Sequence, residues 1–180
     1  TRMSHLIYDL LDYSRLDRQG KGGIEGRRGH DFLFHFAAGG PMIAARRPVT
    51  MLMVEDNPAD VYFSREALEE TALPVTLHVV TNGLAAMEFL GRREEFANAP
   101  RPDVVVLDLN LPVMNGKELL AKMMSDPEFC RLPVAVLTTS RSETHLSDLY
   151  PPDRFLCFTK TDDLHRLQDI IGKIAAHAGM

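Results

Sequence analysis

The sequence has few cysteines and no long apolar run. Only Cys130 and Cys157 occur in 180 residues, too few for a disulfide framework or a cysteine-based zinc site, and this fits a reducing compartment. No stretch approaches the roughly 18 apolar residues that a membrane-spanning helix needs, and no signal-peptide pattern stands at the start. These absences predict a cytoplasmic protein that does not associate with membranes.

Basic residues are scarce in most of the chain. Residues 1–48 carry eight Lys and Arg against five Asp and Glu, whereas residues 49–180 carry twelve against twenty. Nucleic acid binding depends on a basic surface, and neither part has a basic patch with interleaved aromatic residues. The sequence therefore predicts no direct nucleic acid partner.

Three segments differ in composition. Residues 1–18 have the period of an amphipathic helix, residues 19–48 form a glycine-rich linker followed by a weakly structured segment, and residues 49–180 have the pattern of a folded domain. Hydrophobic residues make up 45% of the chain, which suffices for one core. We expect one domain preceded by an extension.

Residues 49–180 alternate short apolar runs with helical periods. Asn57 and Pro58 mark the start of the first helix, and Leu84, Met87 and Leu90 give the apolar period of the second. A short fourth helix is expected over 141–149. The runs that predict strands are 49–54, 75–80, 104–107, 133–137 and 154–158. Five strands alternating with five helices predict an α/β fold with a parallel sheet covered on both faces.

Polar residues follow four of these five strands. Glu55 and Asp56 follow the first, Asp108 the third, Thr138 the fourth and Lys160 the fifth. The carboxyl ends of parallel strands share one edge of the sheet, where the functional crevice forms. Converging carboxylates repel one another unless a cation lies among them, and oxygen ligands favour Mg²⁺.

Each of these residues alone is also compatible with a helix cap, a turn or an exposed side chain. Their convergence favours a phosphoryl-transfer site, in which one carboxylate is the nucleophile and the lysine and hydroxyl hold phosphoryl oxygens.

Four sequence motifs support a family resemblance. They are MLMVEDNPAD at 51–60, VVVLDLNLPVMNG at 104–116, LPVAVLTTS at 132–140 and FTK at 158–160. Together they resemble the receiver domain of two-component response regulators, and most of all the stand-alone regulators of phytochrome-type histidine kinases. The resemblance implies a CheY-like, flavodoxin-like doubly wound sheet of five parallel strands in the order 2-1-3-4-5, with five helices.

The resemblance also assigns roles to residues. Asp108 matches the phosphoacceptor, Thr138 the switch hydroxyl and Lys160 the lysine that contacts the phosphoryl group. The implied Mg²⁺ ligands are Glu55, Asp56, Asp108 and the backbone carbonyl of Asn110. Pro112 and Gly116 match the loop that shapes the acceptor. Such a protein is not an enzyme in the usual sense, since it catalyses only its own phosphorylation and dephosphorylation.

The implied partner is a histidine kinase, of phytochrome type by motif style, that supplies the phosphoryl group. Output would pass through protein contacts, including a homodimer formed through the face of the fourth helix, fifth strand and fifth helix. Three features depart from the family pattern: Cys157 replaces an aromatic residue, Thr161 replaces a proline, and Pro151 and Pro152 stand before the fifth strand where a Gly-Ala turn is usual. A phosphate-independent, receiver-like interaction module is therefore the alternative.

Two enzyme or carrier classes on related folds fit poorly. A haloacid-dehalogenase-type phosphatase needs Asp-x-Asp after its strand, but Leu109 and Asn110 follow Asp108. A flavodoxin needs a hydroxyl-rich loop after the first strand, which is absent here.

The first segment carries resemblances of its own. Residues 2–16 resemble the second helix of a histidine-kinase dimerisation domain, and IEGR at 24–27 resembles a factor Xa recognition site. Together they favour an engineered extension. A native kinase remnant in front of its regulator is the alternative.

Overall fold

The computed structural model describes residues 34–35, 47–71, 73–139, 146 and 150–178. The helix expected over 1–18 lies outside the described residues, as do most of the linker over 19–48 and all but one residue of the helix expected over 141–149. Within the described ranges, none of the helices is long and apolar enough to cross a membrane.

Six strands form a single sheet. They are β1 (Phe34–His35), β2 (Val49–Val54), β3 (Val75–Val80), β4 (Val104–Asp108), β5 (Val134–Thr138) and β6 (Phe155–Thr159). The order across the sheet is β1-β3-β2-β4-β5-β6, and β2 to β6 are all parallel. Counted without β1, this is the predicted order 2-1-3-4-5, and the prediction of a doubly wound sheet is confirmed.

The sheet has one strand more than the sequence predicts. β1 pairs antiparallel with β3, with Phe34 opposite Leu77 and His35 opposite Thr76. It thereby satisfies backbone groups of β3 that an edge strand would leave unpaired. Two residues are too few to show the alternating pattern from which a strand is predicted.

Four α-helices lie among the described residues. They are α1 (Pro58–Glu70), α2 (Gly83–Leu90), α3 (Gly116–Ser125) and α4 (Leu164–His177). The prediction for the start of α1 is confirmed, because Asn57 Oδ1 accepts a hydrogen bond from the Ala59 amide and Pro58 occupies the first turn. α1 packs beside α4, and α2 packs beside α3.

Two apolar cores lie on opposite faces of the sheet. Every residue of β4 and β5 is buried, as their continuous hydrophobicity predicts. The second helix that Leu84, Met87 and Leu90 predict is confirmed as α2, although Leu84 itself is 46% exposed. The buried face of this short helix runs instead through Gly83, Ala86 and Leu90, which leaves Leu84 turned towards solvent.

An ion pair lies at the amino ends of β2 and β4, on the opposite side of the sheet from the predicted functional edge. The two terminal guanidinium nitrogens of Arg47, Nη1 and Nη2, donate to the Asp103 carboxylate at 2.8 and 2.7 Å, and the Thr50 amide donates to it at 2.8 Å. Burial alone would raise the pKa of Asp103, but these hydrogen bonds outweigh it and hold the pKa below its ordinary range.

Asp103→Asn is therefore expected to lower the free energy of unfolding at neutral pH by about 1 kcal/mol, since the Arg47 half of the pair is exposed. Because the pKa of Asp103 is lower in the folded than in the unfolded state, its ionised carboxylate stabilises the folded protein at any pH above the unfolded pKa of about 3.9. This stabilisation is lost as the pH falls through the pKa of the folded state. The difference between variant and wild type should thus shrink below about pH 4. Urea denaturation at pH 7 and pH 3 measures this, with the exposed Asp169→Asn as control. If the difference in the free energy of unfolding between Asp103→Asn and wild type is the same at pH 7 and pH 3, this prediction is wrong.

Candidate metal site at the carboxyl edge of the sheet

Four neighbouring strands bring the predicted residues to one edge. Glu55 directly follows β2, Asp108 ends β4, Thr138 ends β5 and Lys160 directly follows β6. The strands are adjacent and parallel, so their carboxyl ends lie side by side. The convergence predicted from the sequence is present in the structure.

The carboxylates of Glu55, Asp56 and Asp108 form a compact group, here called the acidic cluster. One oxygen from each lies within 4.8 Å of the others. Glu55 and Asp108 are buried and Asp56 is exposed. Buried like charges at this spacing destabilise one another unless a cation compensates them. A set of carboxylate oxygens with one side open to solvent fits a hard divalent cation such as Mg²⁺ or Mn²⁺.

Backbone amides orient the two buried carboxylates of the cluster. The Asn57 amide donates to Glu55 Oε1 at 3.1 Å, and the Asn110 amide donates to Asp108 Oδ1 at 3.1 Å. Each bond spans two residues along the chain, so the turn after each strand fixes its carboxylate. The other oxygen of each group is left to face the centre of the site.

Lys160 lies at that centre. Its ammonium nitrogen is 2.7 Å from Glu55 Oε2, 2.7 Å from Asp108 Oδ2 and 2.8 Å from Asp60 Oδ2. An ammonium group has three donors, so all of them are used. Burial by itself lowers the pKa of Lys160, but the hydrogen bonds to these carboxylates, Asp108 foremost, raise it above its ordinary value.

The pKa of Glu55 is shifted as well. Burial raises the pKa of this carboxyl above its ordinary value, and the hydrogen bond from Lys160 offsets the shift only in part. The site thus holds a carboxylate whose charge is costly without a neighbouring cation, and the Lys160 ammonium lies 2.7 Å from it.

Asp60 is the residue that sequence reasoning missed. It lies in the first turn of α1, where an acidic residue is expected simply because it interacts favourably with the helix dipole. Nothing in its local pattern points to Lys160, which is a hundred residues away. Only the packing of α1 beside the end of β6 brings the two groups together.

Thr138 is completely buried beneath this edge. Its carbonyl accepts a hydrogen bond from the Lys160 amide at 2.8 Å, which ties the end of β5 to the residue that carries the ammonium group. The structure therefore places the predicted hydroxyl residue next to the predicted lysine in the backbone network.

Gly116 approaches the backbone of Asp108 closely. A Cβ atom added to it would lie 2.3 Å from the Asp108 carbonyl oxygen and 2.6 Å from the Leu109 Cα. The Gly116 amide also donates to the Leu109 carbonyl at 3.0 Å. Asn115 and Glu118 form a capping box at the start of α3. The loop after β4 is thereby folded back against the strand end that carries Asp108.

Cys157 and Thr161, two of the departures from the family pattern, pack as ordinary residues of their elements. Cys157 is half-buried and packs against the core that contains Phe89. Thr161 Oγ1 accepts a hydrogen bond from the Asp163 amide at 3.1 Å, and the bond between Lys160 and Thr161 is trans. Neither residue displaces Lys160 from the carboxylates.

A doubly wound parallel sheet whose carboxyl edge carries an acidic cluster and a lysine defines the class of CheY-like receiver folds. The family model described as response regulator receiver domain matches residues 51–172. The chain therefore belongs to the response regulator receiver domain family, as its motifs indicated.

Named relatives place it within this family. Over 120 residues it is 39% identical to response regulator Rcp1 of Synechocystis sp., a match that covers 67% of this chain and 82% of the relative. The phosphorylated cyanobacterial phytochrome response regulator RcpA shares 39% identity and a TM-score of 0.62, with 71% of this chain and 91% of that chain covered. The Mn²⁺-bound form of Rcp1 shares 36% identity and a TM-score of 0.61, covering 72% and 93%.

Proposed function

We propose that Asp108 accepts a phosphoryl group from the phosphohistidine of a histidine kinase, the partner class of receiver domains. The observation that carries the proposal is the convergence of Asp108, the rest of the acidic cluster and Lys160 at one edge of the sheet. Likeness to RcpA, a cyanobacterial phytochrome response regulator, supports a phytochrome-type kinase as the donor.

The proposed metal ligands are Glu55, Asp56, Asp108 and the backbone carbonyl of Asn110, and the proposed ion is Mg²⁺. The spacing of the three carboxylates supports this set of ligands. The hydrogen bond from the Asn110 amide to Asp108 also supports it, because this bond keeps the Asn110 backbone close to Asp108. A cation bound there would neutralise charge on the phosphoryl oxygens.

In the transfer, an oxygen of Asp108 bonds to phosphorus while the P–N bond of the donor breaks, and its electron pair leaves with the imidazole. Lys160 already donates to Asp108 Oδ2 at 2.7 Å, so its ammonium is placed to receive a phosphoryl oxygen. The hydroxyl of Thr138 would donate a hydrogen bond to a second phosphoryl oxygen. Attack of water on phosphorus later breaks the P–O bond to Asp108, which releases inorganic phosphate and restores the carboxylate. The domain would thus catalyse only its own phosphorylation and dephosphorylation.

Output would pass through contacts with other proteins. The acyl phosphate would shift the population of two packings through Thr138. The proposed contact surface, including that of a homodimer, comprises β6, α4 and the fourth helix that the sequence predicts over 141–149. The acidic balance of residues 49–180 supports a role without nucleic acid binding, and the scarcity of cysteine supports a cytoplasmic location. The proposed division is a receiver domain over residues 49–180, a helical fragment over 1–18, and a glycine-rich linker with a weakly structured segment over 19–48, which also contributes β1.

The test is the mass of the intact protein after incubation with acetyl phosphate and Mg²⁺. The wild type should gain the mass of one phosphoryl group, and this gain should disappear without Mg²⁺ and in Asp108→Asn, which keeps the shape of the side chain but removes the nucleophile. The exposed Asp169→Asn serves as control and should be labelled like the wild type. A gain that persists in Asp108→Asn would contradict the assignment of the acceptor.

A phosphate-independent interaction module is the second candidate. The observation that favours it is Cys157, which lies half-buried on β6 where the family carries an aromatic switch residue. Under this hypothesis the wild type gains no phosphoryl mass with acetyl phosphate and Mg²⁺.

A further inference from the structure

The hydrogen bonds of Lys160 divide into two kinds. Glu55 and Asp108 belong to the acidic cluster, whose oxygens are the candidate metal ligands. Asp60 is not a member of that cluster, yet its Oδ2 lies 2.8 Å from the ammonium nitrogen. It extends from a different element, the first turn of α1, and 39% of its side chain is exposed.

A metal ion and Lys160 compete for the same carboxylates. Both are cations, and both require oxygens of Glu55 and Asp108, so occupation of the acidic cluster weakens two of the three contacts of the ammonium group and adds a repulsive charge beside it. The lysine side chain is a flexible stem of four carbons that would otherwise swing towards solvent. Asp60 is the carboxylate that stays available to Lys160 in that state.

We infer that Asp60 is a positioning residue that holds the Lys160 ammonium beside Asp108 while a divalent cation occupies the acidic cluster. The inference rests on the proposed function, in which Lys160 contacts the phosphoryl group. Asp60 itself does not touch the reacting atoms. It acts by keeping the ammonium where a phosphoryl oxygen arrives.

The surroundings of the pair support this role. Asp60, Glu55 and Lys160 line a cavity of about 30 Å³ between α1 and α4, and the other lining residues are mostly apolar: Met53, Phe63, Ser64, Leu137, Thr161, Leu167 and Ile170. A low-dielectric wall strengthens the attraction between the two charges. The side chain of Lys160 is only 16% exposed, so its charge is poorly hydrated without Asp60.

The test is a double-mutant cycle of Asp60→Asn and Lys160→Met, with Asp108 phosphorylation by acetyl phosphate measured at saturating Mg²⁺. Asp60→Asn should lower the maximal rate about ten-fold, the effect of losing one charged hydrogen bond. In the Lys160→Met background it should cause no further loss, because it acts through that lysine. Asp60→Glu should restore most of the rate.

The matched control is Glu69→Gln, which removes the same charge from an exposed position of the same helix. It should leave the rate unchanged. Either an equal loss in Glu69→Gln or a ten-fold loss that persists in the Lys160→Met background would overturn the inference. Mg²⁺ affinity, measured by calorimetry, should change much less than the rate in Asp60→Asn, and a ten-fold weaker affinity would instead make Asp60 part of the metal site.

If the wild type takes up no phosphate, that result refutes the proposed function alone. The inference is then tested with the four proteins of the double-mutant cycle: the wild type, Asp60→Asn, Lys160→Met and the double variant. Their unfolding in urea gives the coupling between Asp60 and Lys160 with and without Mg²⁺. The pair should retain a coupling of about five-fold in the unfolding equilibrium constant when Mg²⁺ is present. A coupling that vanishes on adding Mg²⁺ would show that Asp60 does not hold the lysine in the metal-bound state.

Discussion

Lys160→Met should lower the free energy of unfolding by about 3 kcal/mol in the absence of divalent cations. The ammonium compensates two carboxylates that are almost fully buried, Glu55 and Asp108, at 2.7 Å each. Methionine keeps an unbranched side chain of similar length but leaves these two charges without a compensating cation. Removing one partner of a buried pair costs more than the pair contributes, because the remaining charge has lost its hydration as well.

Mg²⁺ should reverse much of this loss. A ligand that binds only the folded state stabilises it in proportion to the logarithm of its concentration, and without the competing ammonium the acidic cluster should bind Mg²⁺ more tightly. Urea denaturation with EDTA and with Mg²⁺ measures both effects. Lys173→Met, an exposed position on α4, should stay within about 0.5 kcal/mol of wild type. If Lys160→Met is as stable as wild type in EDTA, the lysine does not compensate the cluster.

Gly116→Ala should lower the free energy of unfolding by about 2 kcal/mol, the scale of overpacking in a closely packed region. The added methyl group would meet the backbone of Asp108 and Leu109 at 2.3 to 2.6 Å. Backbone atoms cannot rotate away as a side chain can, so the loop after β4 must shift. Because that loop carries the Asn110 amide, which orients the Asp108 carboxylate, labelling by acetyl phosphate should also slow.

Gly172→Ala is the matched control for this change. Gly172 lies within α4, and an added Cβ would meet nothing within 4 Å. Alanine there should raise stability by up to about 1 kcal/mol through helix propensity alone. Opposite signs for the two substitutions are the expected result, measured by urea denaturation of both proteins. Equal effects would mean that the close approach of Gly116 is relieved without cost.

Much of the architecture could be predicted because it depends on local pattern. The continuous apolar runs of β4 and β5 indicated buried strands, and Asn57 with Pro58 indicated the start of α1. Once parallel strands are inferred, Glu55 and Asp108 must meet at one edge, since all parallel strands end on the same side. The strand limits differ from prediction by one residue at β4, β5 and β6, within the usual uncertainty of element ends.

Other features depended on contacts that no local pattern encodes. Leu84 has the spacing of the other apolar residues of α2, but it is exposed because the buried face of this helix runs through Gly83, Ala86 and Leu90. β1 exists only because the edge of β3 was available for pairing. Its two residues would not form a strand by themselves.

The sequence by itself determined which groups reach the carboxyl edge of the sheet, because hydrophobic period and strand ends are properties of consecutive residues. It also indicated the family, through motifs contained in single strand–loop segments. The tertiary structure alone decided that Asp60 shares the ammonium of Lys160 and that Gly116 lies against the backbone of Asp108. Both contacts depend on how separate elements pack, with tolerances of less than an ångström, and spacing along the chain carries no record of such distances.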